Sequence, residues 1–155
     1  MVKTNVMRIL DLNKIDYKEY TLNNNETNGV NAANDLGLNL ESTFKTLVTK
    51  GKSGNYFVFV VPVAERLDLK KAASSVGEKS VEMLPQKDLL KITGYVHGGC
   101  SPIGMKKRFV TVFNETAILF DKIVFSGGKI GYFVEVNPTD VEKIIPISFE
   151  DIIIS

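Results

Sequence analysis

Two neighbouring segments of the chain carry its clearest hydrophobic pattern. Residues 43–49 alternate with a period of two, which is typical of a strand with two different faces, and residues 56–62 are apolar almost throughout. The segment 51–55 between them contains two glycines, a serine and an asparagine, residues that favour turns. The pattern therefore predicts a β-hairpin whose second strand is buried on both sides.

The first of these strands carries a lysine, Lys45, on a face that it shares with an apolar residue. The alternation places Lys45 on the same face as Leu47, while Phe44, Thr46 and Val48 share the opposite face. A lysine in such a place either extends its stem along apolar surface to reach water or directs its charge into a pocket. The first arrangement is the commoner one, and the pattern leaves both open.

Short helices and further strands are predicted along the rest of the chain. Helices are expected from a cap at Thr4 or Asn5, over about 31–36, from Asp68 to Gly77, from Pro85 to Gly94, and from a cap at Asn137 or Thr139 through Ile145. Strands are expected at 17–22, 108–113, 122–126 and 131–136. Because most strands follow one another as hairpins, we expect one α+β domain, 1–155, with a mixed, mostly antiparallel sheet curled toward a barrel and surrounded by short helices.

Composition and charge narrow the classes of protein that fit. The chain has 155 residues, of which 44% are apolar and 24% charged, and its one cysteine cannot form an internal disulfide. No leader peptide or membrane-spanning run is apparent, so we expect a cytoplasmic protein with no membrane partner. A net charge of +1 argues against bulk coating of nucleic acid, and no DNA partner is expected. Groups of cations such as 106–108 are usually solvated surface, but a local group could hold a few phosphates of a structured RNA.

The segment 93–108, here called the glycine loop, holds the densest candidate chemistry. Gly98 and Gly99 have no Cβ, so the backbone there can adopt a positive φ and bring its N–H groups close to a ligand. Ser101 adds a hydroxyl, and Pro102 stiffens the path that follows it. Such a loop suits an anionic or carbonyl oxygen held by main-chain donors, although a tight connection between helix and strand is the simpler interpretation.

Few side chains offer themselves as catalytic groups. His97 and Cys100 are the only residues of their types and could form a nucleophilic pair, but a packed Cys100 is the simpler interpretation. The chain shows no set of metal ligands and no nucleotide-binding motif, so no metal and no cofactor is expected. Lys45, the glycine loop and Ser126 can together bind an ester and stabilise an oxyanion. An evident side-chain nucleophile is missing from that set.

Several motifs in register give the chain a family resemblance. Segments 44–47, 67–71, 81–83, 93–95, 98–104, 106–108 and 126–131 resemble the YbaK family in order and spacing, and the likeness runs from about residue 13 to the last helix. That family consists of free-standing aminoacyl-tRNA deacylases related to the editing domain of bacterial prolyl-tRNA synthetases. The resemblance implies removal of cysteine from the acceptor end of Cys-tRNA(Pro), with attack by the substrate's own thiol and with prolyl-tRNA synthetase as a partner.

The same resemblance implies roles for individual residues. Lys45 and Gly98 become the catalytic residues, the first by holding the adenosine, carbonyl or phosphate region and the second by donating its N–H to the reacting carbonyl. The residues implied in substrate binding are Tyr20, Gly99, Ser101, Gly104 and Ser126. The chain departs from the family pattern at two places. Gly29 and Val30 follow Asn28 where an aromatic residue is usual, and Phe133 stands where the pattern has an aspartate.

Three alternatives to a cysteine deacylase follow from the residues. The chain could remove alanine or another small amino acid, with water as the attacking group. It could be a non-catalytic module that binds tRNA or a synthetase. It could also be a hydrolase that uses the Cys100 thiol, which predicts inactivation by Cys100→Ser and little effect of Lys45→Ala.

Overall fold

The computed structural model of the chain describes residues 2–155, which form five α-helices, one 3-10 helix and eight strands. The α-helices are α1 (Asn5–Leu12), α2 (Gly29–Leu36), α3 (Leu69–Ser75), α4 (Gln86–Thr93) and α5 (Pro138–Val141), and the 3-10 helix covers Glu115–Leu119. The strands are β1 (Lys18–Thr21), β2 (Phe44–Gly51), β3 (Tyr56–Pro62), β4 (Val81–Met83), β5 (Val110–Asn114), β6 (Ile123–Ser126), β7 (Tyr132–Val136) and β8 (Ile147–Glu150).

The predicted hairpin forms the middle of a five-stranded sheet with the order β4-β2-β3-β5-β8. β2 and β3 pair antiparallel from Phe44 opposite Pro62 to Lys50 opposite Tyr56. β3 then pairs parallel with β5, and β5 pairs parallel with β8, so the sheet is mixed. Val58 and Val60 are buried on one face of β3 while Phe57 and Phe59 are buried on the other. The prediction of a strand buried on both sides is confirmed.

The remaining three strands form a separate antiparallel sheet with the order β1-β7-β6. A single bridge between Thr43, just before β2, and Val124 of β6 joins the edges of the two sheets. The α+β class and the mostly antiparallel pairing are therefore confirmed. The strands do not form one sheet, however, and no closed barrel results within residues 2–155, because the bridge at Thr43 does not extend into a ladder.

The two faces of the five-stranded sheet carry separate hydrophobic clusters. The larger cluster fills the space between the two sheets and includes Phe113 and Phe125, whose rings meet edge to face at 6.0–6.5 Å with their aromatic neighbours. The smaller cluster contains Ala72 and Ala73 of α3 together with Phe57 and Phe59 of β3.

Local sequence signals explain where most helices begin and end. Thr4 caps α1 by accepting a hydrogen bond from the Met7 N–H at 3.2 Å, and Asp68 caps α3 in the same manner. Gly37 ends α2 in the left-handed region with φ +69°, as its missing Cβ allows. These starts and ends agree with the predicted ones.

The last predicted helix is wrong in length. α5 stops at Val141 and the chain continues as turns, whereas the pattern extended the helix through Ile145. Pro146 accounts for the exclusion of Ile145, since the residue before a proline is disfavoured in helical geometry, while residues 142–144 form turns. The sequence also left β4, β8 and the 3-10 helix unassigned. β4 has three residues and β8 four, and each is a strand because β2 or β5 offers it a partner.

Candidate active site

A pocket of about 430 Å3 opens where the start of β2 faces the start of α2 and the glycine loop. Its walls come from residues 26–29, residues 43–47, His97, Gly98, Cys100 and Phe133. The pocket thus unites the strand that carries the unusual lysine with the loop that carries the paired glycines. Of the seven residues that the sequence singles out, Lys45 and Gly98 line it directly.

Lys45 lies on β2 opposite Val61 of β3, and it is half-buried. Burial lowers the pKa of its ammonium below the ordinary lysine value, the nearby charge of Glu65 raises it, and Arg66 adds to the lowering. Within residues 2–155 the Lys45 ammonium forms no ion pair within 4 Å. Of the two arrangements that the pattern left open, the geometry favours the second, in which the charge is directed into a pocket.

Gly98 occupies the third position of a tight turn in the glycine loop. The Gly99 N–H donates to the Val96 carbonyl at 3.0 Å, and Gly98 has φ +87°, the value that a type II turn requires at this position. A Cβ on Gly98 would lie 2.6 Å from the Cγ2 of Thr27. Unlike the Gly99 N–H, the Gly98 N–H forms no hydrogen bond with the described residues. The turn therefore needs glycine for two reasons, and Gly98 lines the pocket with an unpaired N–H.

The other loop residues that were expected to bind substrate have structural roles. A Cβ on Gly99 would lie 3.0 Å from the backbone nitrogen of Ile130, so Gly99 lets the glycine loop pack against the β6–β7 turn. Ser101 is fully buried, and its Oγ accepts the Ile103 N–H at 3.4 Å. Gly104 has φ +81°, and a Cβ there would meet the hydroxyl of Tyr95 at 2.7 Å. None of these three lines the pocket, and their predicted contacts with substrate stay predictions.

Tyr20 and Ser126 lie on either side of a pocket residue without lining the pocket themselves. Both are direct cross-strand partners of Phe133, so the three side chains form a row on one face of the three-stranded sheet. The hydroxyl of Tyr20 donates to Glu135 at 3.3 Å, and the Oγ of Ser126 accepts the Gly128 N–H at 3.1 Å. Their predicted contacts with substrate stay predictions, and Phe133 is the member of the row that reaches the pocket.

Cys100 reaches the pocket as a buried thiol. Its side chain is 8% exposed, and burial raises the pKa of the thiol to about 12, against a weaker lowering by a hydrogen bond with Thr93. The thiolate is the reactive form of cysteine, so a raised pKa makes this residue a poor nucleophile at neutral pH. His97 is exposed at the pocket. These properties favour the interpretation of Cys100 as a packed residue.

We expect Cys100 to be chemically slow and dispensable for the deacylation that the family resemblance implies. With a pKa of about 12, about one thiol in 10⁴ is ionised at pH 8, so iodoacetamide should alkylate the native protein at least about 100-fold more slowly than the denatured chain. Cys100→Ser, which retains a hydroxyl near Thr93, should leave kcat/KM for deacylation close to that of the wild type. Rapid alkylation coupled to loss of deacylation would restore Cys100 as the nucleophile.

Thr46 is a pocket residue that the sequence did not single out. Its Oγ1 atom is buried, and it is the one such side-chain nitrogen or oxygen in residues 2–155 that has no hydrogen-bond partner. Thr46 follows Lys45 directly on β2 and lines the same pocket. A buried polar atom without a partner is costly unless a ligand satisfies it. A threonine in a strand is too common for the pattern alone to have revealed this.

Residues 2–155 contain no group of three or more His, Cys, Asp or Glu side chains placed to hold a metal ion. No helix in this range is both long and apolar enough to cross a bilayer. The cations at 106–108 lie outside the pocket. Lys106 donates to the Lys91 carbonyl at 3.3 Å, while Lys107 and Arg108 line a second cavity with Lys143. The lysine that lines the pocket is Lys45.

Comparison with known proteins identifies the class to which this fold and pocket belong. The model of the aminoacyl-tRNA editing domain matches residues 26–144, which is most of the chain. The chain belongs to this family, whose members are aminoacyl-tRNA deacylases. The predicted family and class of enzyme are confirmed.

Individual relatives agree with this assignment. The chain is 42% identical over 152 residues to an Enterococcus faecalis protein named "Putative Cys-tRNA(Pro)/Cys-tRNA(Cys) deacylase EbsC", with 97% of this chain and 93% of that protein covered. It is 30% identical over 105 residues to the proline–tRNA ligase of Fervidobacterium nodosum, which covers 68% of this chain and 18% of the ligase.

Solved structures show the same fold at low sequence identity. A protein described as "a putative trans-editing enzyme for prolyl tRNA synthetase" superposes with a TM-score of 0.80 at 20% identity, covering 98% of this chain and 99% of the other. The hypothetical protein APE2540 superposes with a TM-score of 0.89 at 19% identity, covering 97% and 100%. At these identities the likeness is one of fold.

Proposed function

We propose that this deacylase acts in trans on mischarged tRNA and removes cysteine, chiefly from Cys-tRNA(Pro), by means of the substrate's own thiol. The observation that carries this proposal is the chemistry of the pocket. It offers a cation at Lys45 and a main-chain donor at Gly98, while the Thr46 hydroxyl on its wall is buried and unpaired and the thiol of Cys100 has a pKa of about 12. A pocket that stabilises charge without an activated nucleophile suits a substrate that brings one.

The proposed reaction consists of two balanced steps. The Sγ of the cysteinyl group attacks its own ester carbonyl, a C–S bond forms, and the C–O bond to the terminal ribose breaks. The ribose oxygen receives the proton that the thiol gives up, which leaves free tRNA and a four-membered cyclic thioester. Water then opens the thioester to cysteine. Attack within one molecule has a large proximity advantage, so the protein needs mainly to orient the group and stabilise the oxyanion.

Different groups of the pocket orient the substrate and stabilise the oxyanion. The Gly98 N–H is held by its turn and donates to the carbonyl oxygen as negative charge develops there. The Lys45 ammonium stabilises the oxyanion or the neighbouring phosphate of the terminal adenosine. The start of α2, where Asn28 and Gly29 line the pocket, adds the partial positive charge of a helix N-terminus. Every one of these groups favours an ester with adjacent anionic oxygens.

The experiment that tests the proposal compares tRNA(Pro) charged with cysteine, S-methylcysteine, serine or alanine. We expect release of cysteine to exceed release of the other three amino acids by on the order of 100-fold or more, because an intramolecular thiol supplies the nucleophile in one case alone. Spontaneous ester hydrolysis, measured for each tRNA without protein, is subtracted. Equal release of S-methylcysteine and cysteine would rule out thiol attack. Preferred release of alanine would favour a water-using deacylase for small amino acids.

The proposal extends to the partner and to the setting of the reaction. With a net charge of +1 and only small groups of cations, the chain should bind tRNA weakly by itself and with steep salt dependence. A synthetase that already holds the tRNA would compensate for this weak binding. We propose prolyl-tRNA synthetase as that partner, because its own editing domain is related to this chain. We propose that the whole chain, 1–155, forms the editing domain and that it works in the cytoplasm.

A further inference from the structure

The pocket carries two opposite charges that do not neutralise each other. Four titratable side chains line the pocket. Two of them are the charged groups of Glu26 and Lys45, and the others are His97 and the buried thiol of Cys100. Neither Glu26 nor Lys45 takes part in an ion pair within 4 Å among residues 2–155. A pocket with a carboxylate and an ammonium held apart suits a ligand that has a cation and an anion at separate positions.

The Glu26 carboxylate is held in place by the chain around it. One of its oxygens, Oε2, accepts the Asn28 N–H at 3.1 Å, and the Glu26 N–H donates to the side chain of Asn24 at 3.1 Å. Thr27, the next residue, packs against Gly98 so closely that a Cβ on Gly98 would not fit. The carboxylate is thereby fixed to the same wall as the Gly98 N–H. Its other oxygen remains able to accept, since a carboxylate offers about four lone-pair sites.

The substrate of the proposed reaction has the matching charges. The aminoacyl end of a charged tRNA has one cationic group, the α-ammonium, and its anionic groups are phosphates on the nucleotide side. Resting on the proposed function, we propose that Glu26 binds the α-ammonium of the aminoacyl group while Lys45 stays with the oxygens of the ester and phosphate. Glu26 is then a residue that selects substrates by the charge of their α-nitrogen.

This role predicts which charged tRNAs the enzyme does not hydrolyse. An acylated α-nitrogen, as in formylated or peptidyl-tRNA, is neutral and retains a single N–H. Such a substrate would leave the Glu26 carboxylate partly buried beside a bulky neutral group, which is unfavourable. The enzyme should therefore act on newly charged tRNA and leave N-blocked tRNA intact.

The test uses two non-hydrolysable probes that differ in the α-ammonium alone: the 3′-cysteinylamino and the 3′-(3-mercaptopropionyl)amino derivatives of 3′-deoxyadenosine. Their dissociation constants are measured by calorimetry for the wild type, Glu26→Gln and Glu41→Gln. Glu41 is a matched control because it is exposed and lies outside the pocket. Glutamine keeps an oxygen that can accept the Asn28 N–H, so the loop should retain its shape.

We expect the wild type and Glu41→Gln to bind the ammonium-bearing probe at least about tenfold more tightly than the other probe, and Glu26→Gln to lose this preference. Deacylation of Cys-tRNA(Pro) and of 3-mercaptopropionyl-tRNA(Pro) should show the same pattern in kcat/KM. An undiminished preference in Glu26→Gln, with turnover of Cys-tRNA(Pro) intact, would overturn the role of Glu26 and leave the proposed function standing. A preference that depends on Glu26 in a protein with no turnover would overturn the proposed function instead.

Discussion

Lys45→Met should lower kcat/KM for deacylation by about 10²- to 10³-fold without unfolding the protein. The substitution keeps an unbranched stem on β2 and removes the one cation that lines the pocket. Removal of a donor that stabilises a developing oxyanion has an effect of this size in other enzymes. The measurement is release of labelled amino acid from Cys-tRNA(Pro). Lys50→Met is the matched control, since Lys50 lies on the same strand but is exposed and packs over Tyr56.

The same substitution should not reduce stability. Lys45 forms no ion pair within 4 Å in residues 2–155, and its burial disfavours the charged form. Because folding lowers its pKa from 10.5, the unfolded chain binds more protons between the two pKa values. Lys45 therefore costs stability at neutral pH, and this cost disappears as the pH rises through that interval. In urea unfolding, any stability advantage of Lys45→Met should shrink as the pH rises toward 10.5. Strong destabilisation would instead assign Lys45 a structural role.

Gly98→Ala should abolish most activity and also lower the melting temperature. Alanine at φ +87° costs about 1–2 kcal/mol, and its Cβ would press on Thr27 at 2.6 Å. The turn must shift, which displaces the Gly98 N–H from the reacting carbonyl and lowers kcat by about 10²-fold or more. For a chain of this length, each 1 kcal/mol corresponds to about 2–4 °C in melting temperature.

Gly54→Ala separates the two effects of that substitution. Gly54 has φ +94°, but nothing lies within 4 Å of the Cβ that an alanine would add, and the residue is in the β2–β3 turn outside the pocket. It should lose similar stability from backbone strain while kcat/KM stays near the wild-type value. If Gly98→Ala and Gly54→Ala lose stability alike and both remain active, the Gly98 N–H has no catalytic part.

Much of the fold could be predicted because its signals are local. The alternation in 43–49 and the apolar run in 56–62 define a hairpin without knowledge of any partner, and Gly37 ends α2 by its own conformational freedom. β4 and β8 could not be predicted from local signals. Each has three or four residues and is extended because another strand offers hydrogen bonds. The division into two sheets depends likewise on contacts between distant segments.

The site, too, has residues that the sequence identified and residues that only the structure identified. By itself, the sequence singled out Lys45 and Gly98, because the family resemblance implies catalytic roles for both, and those roles stay predictions. Only the tertiary structure decided that Thr46 and Glu26 lie in the pocket with them and that Ser101 and Gly104 do not. The physical reason is that burial and pairing of a polar atom depend on distant segments. Thr46 Oγ1 is unpaired because of the residues that surround it in the fold, and the adjacent residues in the sequence do not indicate this.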